Sequence, residues 1–290
     1  MPRTVLKPNH QRPNIFVAAL AVCLSFAAGA HAKCNGEDGG AGIVTEIQEG
    51  ETLILEDGRA VRPAGVLGPK RARGGPASEA RGEMEKALSD LTLGKKVALR
   101  LGERKRDRYG RLLAQIMVTG DNETIWLQER LIAEGMARVI SFPENRLCTA
   151  ELLATEENAR QARKGLWKTG FFAIRSADGE DLLSRLAQSY EIVEGEVRSV
   201  ADIKGRTYVN FGENWRKDFT AFISPQSAKL FGGAPAPASG SMTSFDAAAL
   251  KGKRIRVRGW LKNFNGPSIT VTHPEQIEIL EQKSAAAAQR

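Results

Sequence analysis

Two short basic segments hold most of the reactive chemistry in this chain. Residues 61–70, Val61-Arg62-Pro63-Ala64-Gly65-Val66-Leu67-Gly68-Pro69-Lys70, run into Arg71 and Arg73, and a second segment reads Asp107-Arg108-Tyr109-Gly110-Arg111. An acidic strip, Glu46, Glu49 and Glu51, lies upstream. Fixed cations of this kind absorb the charge of a phosphoryl group, and carboxylates can hold a hard metal ion that polarises phosphate and activates water. Of the three histidines, His10 and His31 fall in an N-terminal leader, which leaves His273. A lone histidine rules out multi-histidine zinc sites and leaves little room for a Ser-His-Asp triad. Hydrolysis by this chain would have to use carboxylates, arginines and a hard metal.

The elements that must position these residues are mostly strands. Residues 42–47 and 52–56 are apolar and β-branched, and Asp57-Gly58 is a hairpin signal before a strand over 59–66. A loop at 68–76 precedes a helix over 77–91, with Ala80, Met84, Ala87, Leu88 and Leu91 near one face. Strands over 96–101 and 112–118 flank the basic turn. Two further helices are expected over 124–136, ending at Gly135, and over 148–164, ending at Gly165.

The order and spacing of these features resemble the staphylococcal nuclease (thermonuclease) family. The resemblance rests on 61–70, on the Asp107–Arg111 turn and on the helix end Ala162-Arg163-Lys164-Gly165-Leu166-Trp167, and covers about 42–167. It implies an OB-like β-barrel with three helices and a calcium-dependent phosphodiesterase. By that resemblance Arg62 and Arg111 take the two catalytic arginine positions, and Arg108 and Tyr109 take further phosphate contacts. Glu51 takes the first metal-ligand position, one methylene longer than the usual aspartate. Leu67 stands where the second metal carboxylate belongs, Gly68 can still offer its carbonyl, and Lys70 replaces the general-base glutamate. An ammonium there repels a metal and cannot act as a base unless its pKa falls by several units.

The cationic half of the site is thus retained and the acidic half is not. Arg62, Lys70, Arg71, Arg73, Arg108 and Arg111 can converge on a polyanion without a metal, with strongly salt-dependent affinity. Two alternatives stand beside this. One is a vestigial pocket in which Arg111 pairs with an acid such as Asp107. The other is an active endonuclease whose metal is recruited by Glu46, Glu49 and Glu51, although an acid-rich hairpin edge is commonly a solubilising device. No cofactor is expected, and calcium only if the site is functional.

At 290 residues, with 42% hydrophobic content, the chain has room for more than one core. Arg3, Lys7 and Arg12 precede an apolar run over 15–30 and an Ala30-His31-Ala32 site, which reads as a signal peptide over 1–32 and a secreted or periplasmic product. An uncleaved anchor is the alternative. Cleavage lowers the formal net charge of +8 by three and removes Cys23, leaving Cys34 and Cys148 as a disulfide or two free thiols.

A thermonuclease-like domain is therefore expected over 33–172 and a small OB-like β domain over 187–282, with a disordered tail at 283–290. Strands in the second are expected over 191–200, 206–210, 219–223, 254–260, 268–272 and 276–280, with a hairpin at Asn263-Phe264-Asn265-Gly266-Pro267 and a loop over 232–244. Tyr208, Phe211, Trp215, Phe219 and Phe222 interleave with Arg206, Arg216 and Lys217, a pattern that can stack bases but also one that fills a core. The partner is a nucleic acid, another polyanion, or an unnamed envelope protein.

Overall fold

A computed structural model describes residues 34–69, 76–120, 123–232 and 246–280. The expected signal peptide, Lys70, Arg71, Arg73, the loop beyond Gly232 and the tail at 283–290 lie outside the described residues. From Cys34 onward the chain forms one packed unit containing two main sheets.

The first sheet uses β1 (Glu37–Gln48), β2 (Thr52–Leu55), β3 (Ala60–Pro63), β5 (Lys96–Arg106), β6 (Leu112–Thr119) and β7 (Thr124–Trp126). Its order is β3-β2-β1-β5-β6-β7, and a further parallel pairing of β3 with β6 closes a ring of five strands. Period-two alternation does the sorting: Val97, Leu99 and Leu101 of β5 face inward, with Ala114, Ile116 and Val118 of β6 beside them. α1 (Pro76–Thr92), α2 (Leu127–Ala133) and α3 (Thr149–Gln161) cover the barrel through Leu88, Leu127, Leu131, Ile132 and Leu152.

Two expectations need correction here. The strand foreseen over 59–66 is broken, because Gly65 takes a left-handed conformation at φ +83°. The chain then leaves the barrel as β4 (Val66–Leu67), which pairs antiparallel with β8 (Arg138–Val139). The helix foreseen over 124–136 starts only at Leu127, since Thr124-Ile125-Trp126 extends the sheet with Trp126 opposite Met117. A β-branched and aromatic run beside an open sheet edge favours pairing over helix.

The second sheet is built from β9 (Ile174–Ser176), β10 (Tyr190–Glu196), β11 (Ser199–Ile203), β12 (Arg206–Asn210), β13 (Thr220–Ile223), β14 (Arg254–Asn263), β15 (Pro267–Val271) and β16 (Ile277–Ile279). The path runs β11-β12-β13-β15-β14-β10-β9, with β16 branching from β14. The single strand foreseen over 191–200 is two, divided at Val197-Arg198, and β9 and the short helices α4 (Glu180–Arg185) and α5 (Pro225–Ala228) were not foreseen. Val193, Val209, Phe211, Phe219, Ile223, Val257 and Ile269 form its core. Phe211 and Phe219 are therefore packing residues, whereas Trp215 is exposed.

The two sheets meet along a seam. Leu67 and Ile140 pack with Tyr190 and Trp260. Deeper in, Arg258 of β14 places Nη2 2.9 Å from Glu156 Oε2 of α3, both fully buried, and also pairs with Glu278. Arg160 reaches Glu278 at 3.0 Å, and Arg146 chelates Glu275 through Nε and Nη2. A disulfide joins Cys34 to Cys148, their Cα atoms 5.4 Å apart, tying the first described residue to the start of α3. Constraining the unfolded chain in this way stabilises by about 3–5 kcal/mol.

Candidate phosphate-binding site

The β1–β2 turn and β3 bring Glu51 and Arg62 face to face, Oε1 3.1 Å from Nη2, with both side chains partly open to solvent. Thr52, the next residue, is buried and turns its Oγ1 toward Arg111, which donates from Nη1 at 2.7 Å. Parallel pairing of β3 with β6 sets Val61 opposite Leu112, so Arg62 on β3 and Arg111, the residue before β6, stand at one edge of the barrel.

Arg111 is firmly held. Its Nε donates to Asp107 Oδ2 at 2.8 Å and its Nη2 lies 2.7 Å from the same oxygen, while Asp107 Oδ1 accepts the backbone N–H groups of Tyr109 and Arg111. Burial alone would raise the Asp107 carboxyl, but the Arg111 guanidinium and those two N–H groups outweigh it and hold the group below the usual carboxylate range. The turn presents Tyr109 as an exposed ring with the Arg108 guanidinium 4.8 Å from its centroid and Arg111 5.4 Å away. Arg108 Nη2 also donates to the Tyr109 hydroxyl at 2.7 Å.

The residues expected to hold calcium do not fit a hard cation, which takes six to eight oxygen ligands. Leu67 offers hydrocarbon and is buried against Ile140, Tyr190 and Trp260. Glu51 is engaged by Arg62. Gly68 lies under α1: a Cβ there would lie 1.9 Å from Met84 Sδ, so the Met84 side chain packs directly over it. Glu46 and Glu49 line a shallow groove of about 850 Å³ between the β1–β2 turn and α1, together with Arg81 and Glu85. Among the described residues no group of three or more His, Cys, Asp or Glu side chains is placed to hold a metal ion. Lys70 lies outside the described residues.

Residues 60–169 match the family model of the staphylococcal nuclease homologue. The matched segment contains Arg62, Leu67, Gly68, Arg108, Tyr109 and Arg111, while Glu51 precedes it. An uncharacterized protein of Methanocaldococcus jannaschii is 40% identical over 63 residues, which are 22% of this chain and 30% of that protein. The chain thus spans about a third of that relative's length. The end of the segment explains the sequence pattern at 162–167: Leu166 N donates to Gly135 O at 3.0 Å, which anchors the end of α3 to the end of α2, and Leu166 and Trp167 are buried.

Sequence reasoning missed the partners outside the basic motifs. Thr52 could not be singled out, since a threonine on a strand has many uses. Arg138 carried no signal either. It stands opposite Leu67 in the β4–β8 pair, donates from Nη2 to Tyr190 O at 2.7 Å, and lies 4.8 Å over the Phe172 ring. His273, read as a residue without a partner, is buried against Ser141, with Nε2 2.6 Å from Oγ.

Proposed function

We propose that this protein is an exported nuclease homologue that binds the phosphodiester backbone of nucleic acid without the family's calcium-dependent hydrolysis, its second sheet forming a small OB-like module. One observation carries the reading. Leu67, which the resemblance puts in the position of the second metal carboxylate, is committed to apolar packing across the seam, while Arg62, Arg108, Tyr109 and Arg111 lie at one edge of the barrel. A site with fixed cations and, among the described residues, no cluster of metal donors can attract and orient a phosphate but lacks the metal that would activate water.

The arginines divide the work. Arg111 is held by Asp107 and Thr52 through three of its five N–H donors, so it shapes the turn and adds field without leaving its partners. Arg62 and Arg108 are the groups that can reach a phosphate. Arg62 exchanges the Glu51 carboxylate for a phosphate oxygen, and Arg108 swings from the Tyr109 hydroxyl. Exchange of one anion for another at a guanidinium that water already reaches costs little, and binding then weakens steeply with salt.

The test is cleavage and binding of single-stranded DNA and RNA by the chain lacking 1–32, with calcium and with chelator. Salt-sensitive binding without cleavage is the expected result. Calcium-dependent cleavage abolished by chelator would overturn the reading and direct attention to Glu46, Glu49 and Glu51. Absence of any nucleic-acid binding would leave the envelope-interaction reading in its place.

A further inference from the structure

At one end of the second sheet two connections lie side by side. Residues 211–219 link β12 to β13, and 264–266 link β14 to β15. Ser268 pairs with both Lys262 and Thr220, which sets the two connections at the same end. They touch: a Cβ on Gly266 would lie 2.8 Å from the carbonyl oxygen of Lys217. Asn265 and Gly266 both take positive φ, 52° and 85°, as an Asn-Gly turn requires, and the turn lifts Phe264 into solvent.

What these connections present is unusual for the molecule. Phe264 is 79% exposed and Trp215 51% exposed, and the Arg216 guanidinium lies 4.5 Å from the centroid of the Trp215 ring. Arg216, Lys217 and Lys262 are exposed and enter no ion pair among the described residues, whereas Arg198, Arg254 and Arg256 of the same sheet are paired with carboxylates. Of the acids here, Glu213 is exposed, and Asp218 accepts the Asn214 N–H at 2.6 Å. Asn263 and Asn265 flank Phe264 and are exposed too.

Two open rings, unpaired cations and side-chain amides form a surface complementary to bases joined by phosphates. We infer that Trp215 and Phe264 are a stacking site for single-stranded nucleic acid, with Arg216, Lys217 and Lys262 meeting its backbone. An anionic membrane would attract the same cations. The amides of Asn263 and Asn265 on either side of Phe264 resist burial in hydrocarbon but can hydrogen-bond base edges. The inference shares the nucleic-acid reading of the arginine edge, yet it rests on different residues and can fail separately.

The test uses the chain lacking 1–32 and three probes: a short oligodeoxythymidine, inorganic polyphosphate, and phosphatidylglycerol vesicles. Trp215→Ala/Phe264→Ala is expected to weaken the oligonucleotide by about tenfold or more and to leave polyphosphate unchanged, because polyphosphate has no bases to stack. Arg62→Ala/Arg108→Ala should weaken both. If that second pair changes neither probe while the ring pair still weakens the oligonucleotide, the arginine reading falls and the stacking site stands. Unchanged oligonucleotide affinity in the ring variant overturns the stacking site, as does loss confined to vesicle binding. Both rings are surface groups, so an unchanged melting temperature certifies that the variant is folded.

Discussion

Arginine–carboxylate pairs occur in two regions of this molecule and do different things. At the barrel edge, the side chains of Arg62 and Glu51 are 26% and 31% exposed, so water and a ligand compete for both partners. In the seam, Arg258 and Glu156 are 1% and 0% exposed, and Arg160 and Glu278 complete a network that water does not reach freely. Two charges in a low-dielectric interior depend on each other, while two charges at a surface hardly do. The arginine count of the sequence therefore says little about function until burial has sorted the pairs. The edge can release a carboxylate for a phosphate. The seam cannot release anything without parting the sheets.

Arg258→Ala is the sharpest way to break that contrast. It withdraws the most buried guanidinium from Glu156 and Glu278, which keep only Arg160 and, for Glu278, Arg256, and a loss of about 3 kcal/mol in denaturant unfolding is expected. Burial alone would raise the Glu278 carboxyl, but Arg258 and Arg160 outweigh it and hold the group down at about 2. Burial would likewise lower Arg258, and Glu156 with Glu278 keeps it raised instead. A loss no greater than that of an exposed arginine would mean that the seam pairs are as loosely coupled as the edge pair.

The seam should also be the acid-labile region. His273 is desolvated, which lowers it to about 4 from a usual value near 6.5. Its hydrogen bonds define the neutral form. Thr272 Oγ1 donates to Gln276 Oε1 at 2.8 Å, so His273 Nδ1 donates to Thr272 and Nε2 is left to accept the Ser141 hydroxyl. Because the folded value lies below the unfolded one, this contribution is complete above about pH 6.5 and is lost as pH falls toward 4. About 3 kcal/mol is at stake by linkage. Glu278 follows lower down, between its ordinary 4.5 and about 2. Urea titrations across pH should show a slope between 6.5 and 4 that disappears in His273→Gln. Persistence of the slope in that variant would assign it elsewhere.

Leu67 is where the two regions meet, and Leu67→Asp sharpens the comparison further. Were the site only a nuclease that has lost its acids at Leu67 and Lys70, Leu67→Asp would restore metal binding and Leu67→Asp/Lys70→Glu would restore cleavage as well. The packing against Ile140, Tyr190 and Trp260 instead predicts a carboxylate buried in an apolar seam, where the cation on the facing strand, Arg138, already donates to Tyr190 O. The expected outcome is a stability loss of about 2–3 kcal/mol, read by thermal melting, with no calcium bound by Leu67→Asp and no calcium-dependent cleavage gained by Leu67→Asp/Lys70→Glu. A stable variant that cleaves DNA with calcium would show that the second sheet tolerates a functional site beneath it.

How much of this was legible beforehand follows from what each residue depends on. The barrel strands and α1 were readable because alternation and helical spacing are local, as in β5 and in Ala80, Met84 and Leu88. The meeting of Arg62 with Arg111 was readable through the resemblance, and the Arg111–Asp107 pair through its spacing alone. Leu67 looked like a lost ligand because its neighbours Tyr190 and Trp260 lie far along the chain. Arg258, Arg160 and Glu156 carried no signal in the sequence, and only the docking of the sheets buries them. Non-local burial has no period in a sequence.

The smallest expected effect on stability lies at the edge, and it is the one most informative about function. Arg62→Ala frees an already hydrated Glu51, so the stability change should stay within about 1 kcal/mol. Binding should respond instead: withdrawing one guanidinium from a phosphate reduces the slope of log affinity against log salt by about 0.7 on a single strand. Arg108→Ala should do the same, whereas Arg111→Ala should cost stability as well, since Asp107 and Thr52 lose their shared donor. Salt slopes for the three variants on one oligonucleotide would separate them. Equal losses of stability at Arg62 and Arg111 would mean that the edge is held together as the seam is, and that neither arginine is free to leave its carboxylate for a phosphate.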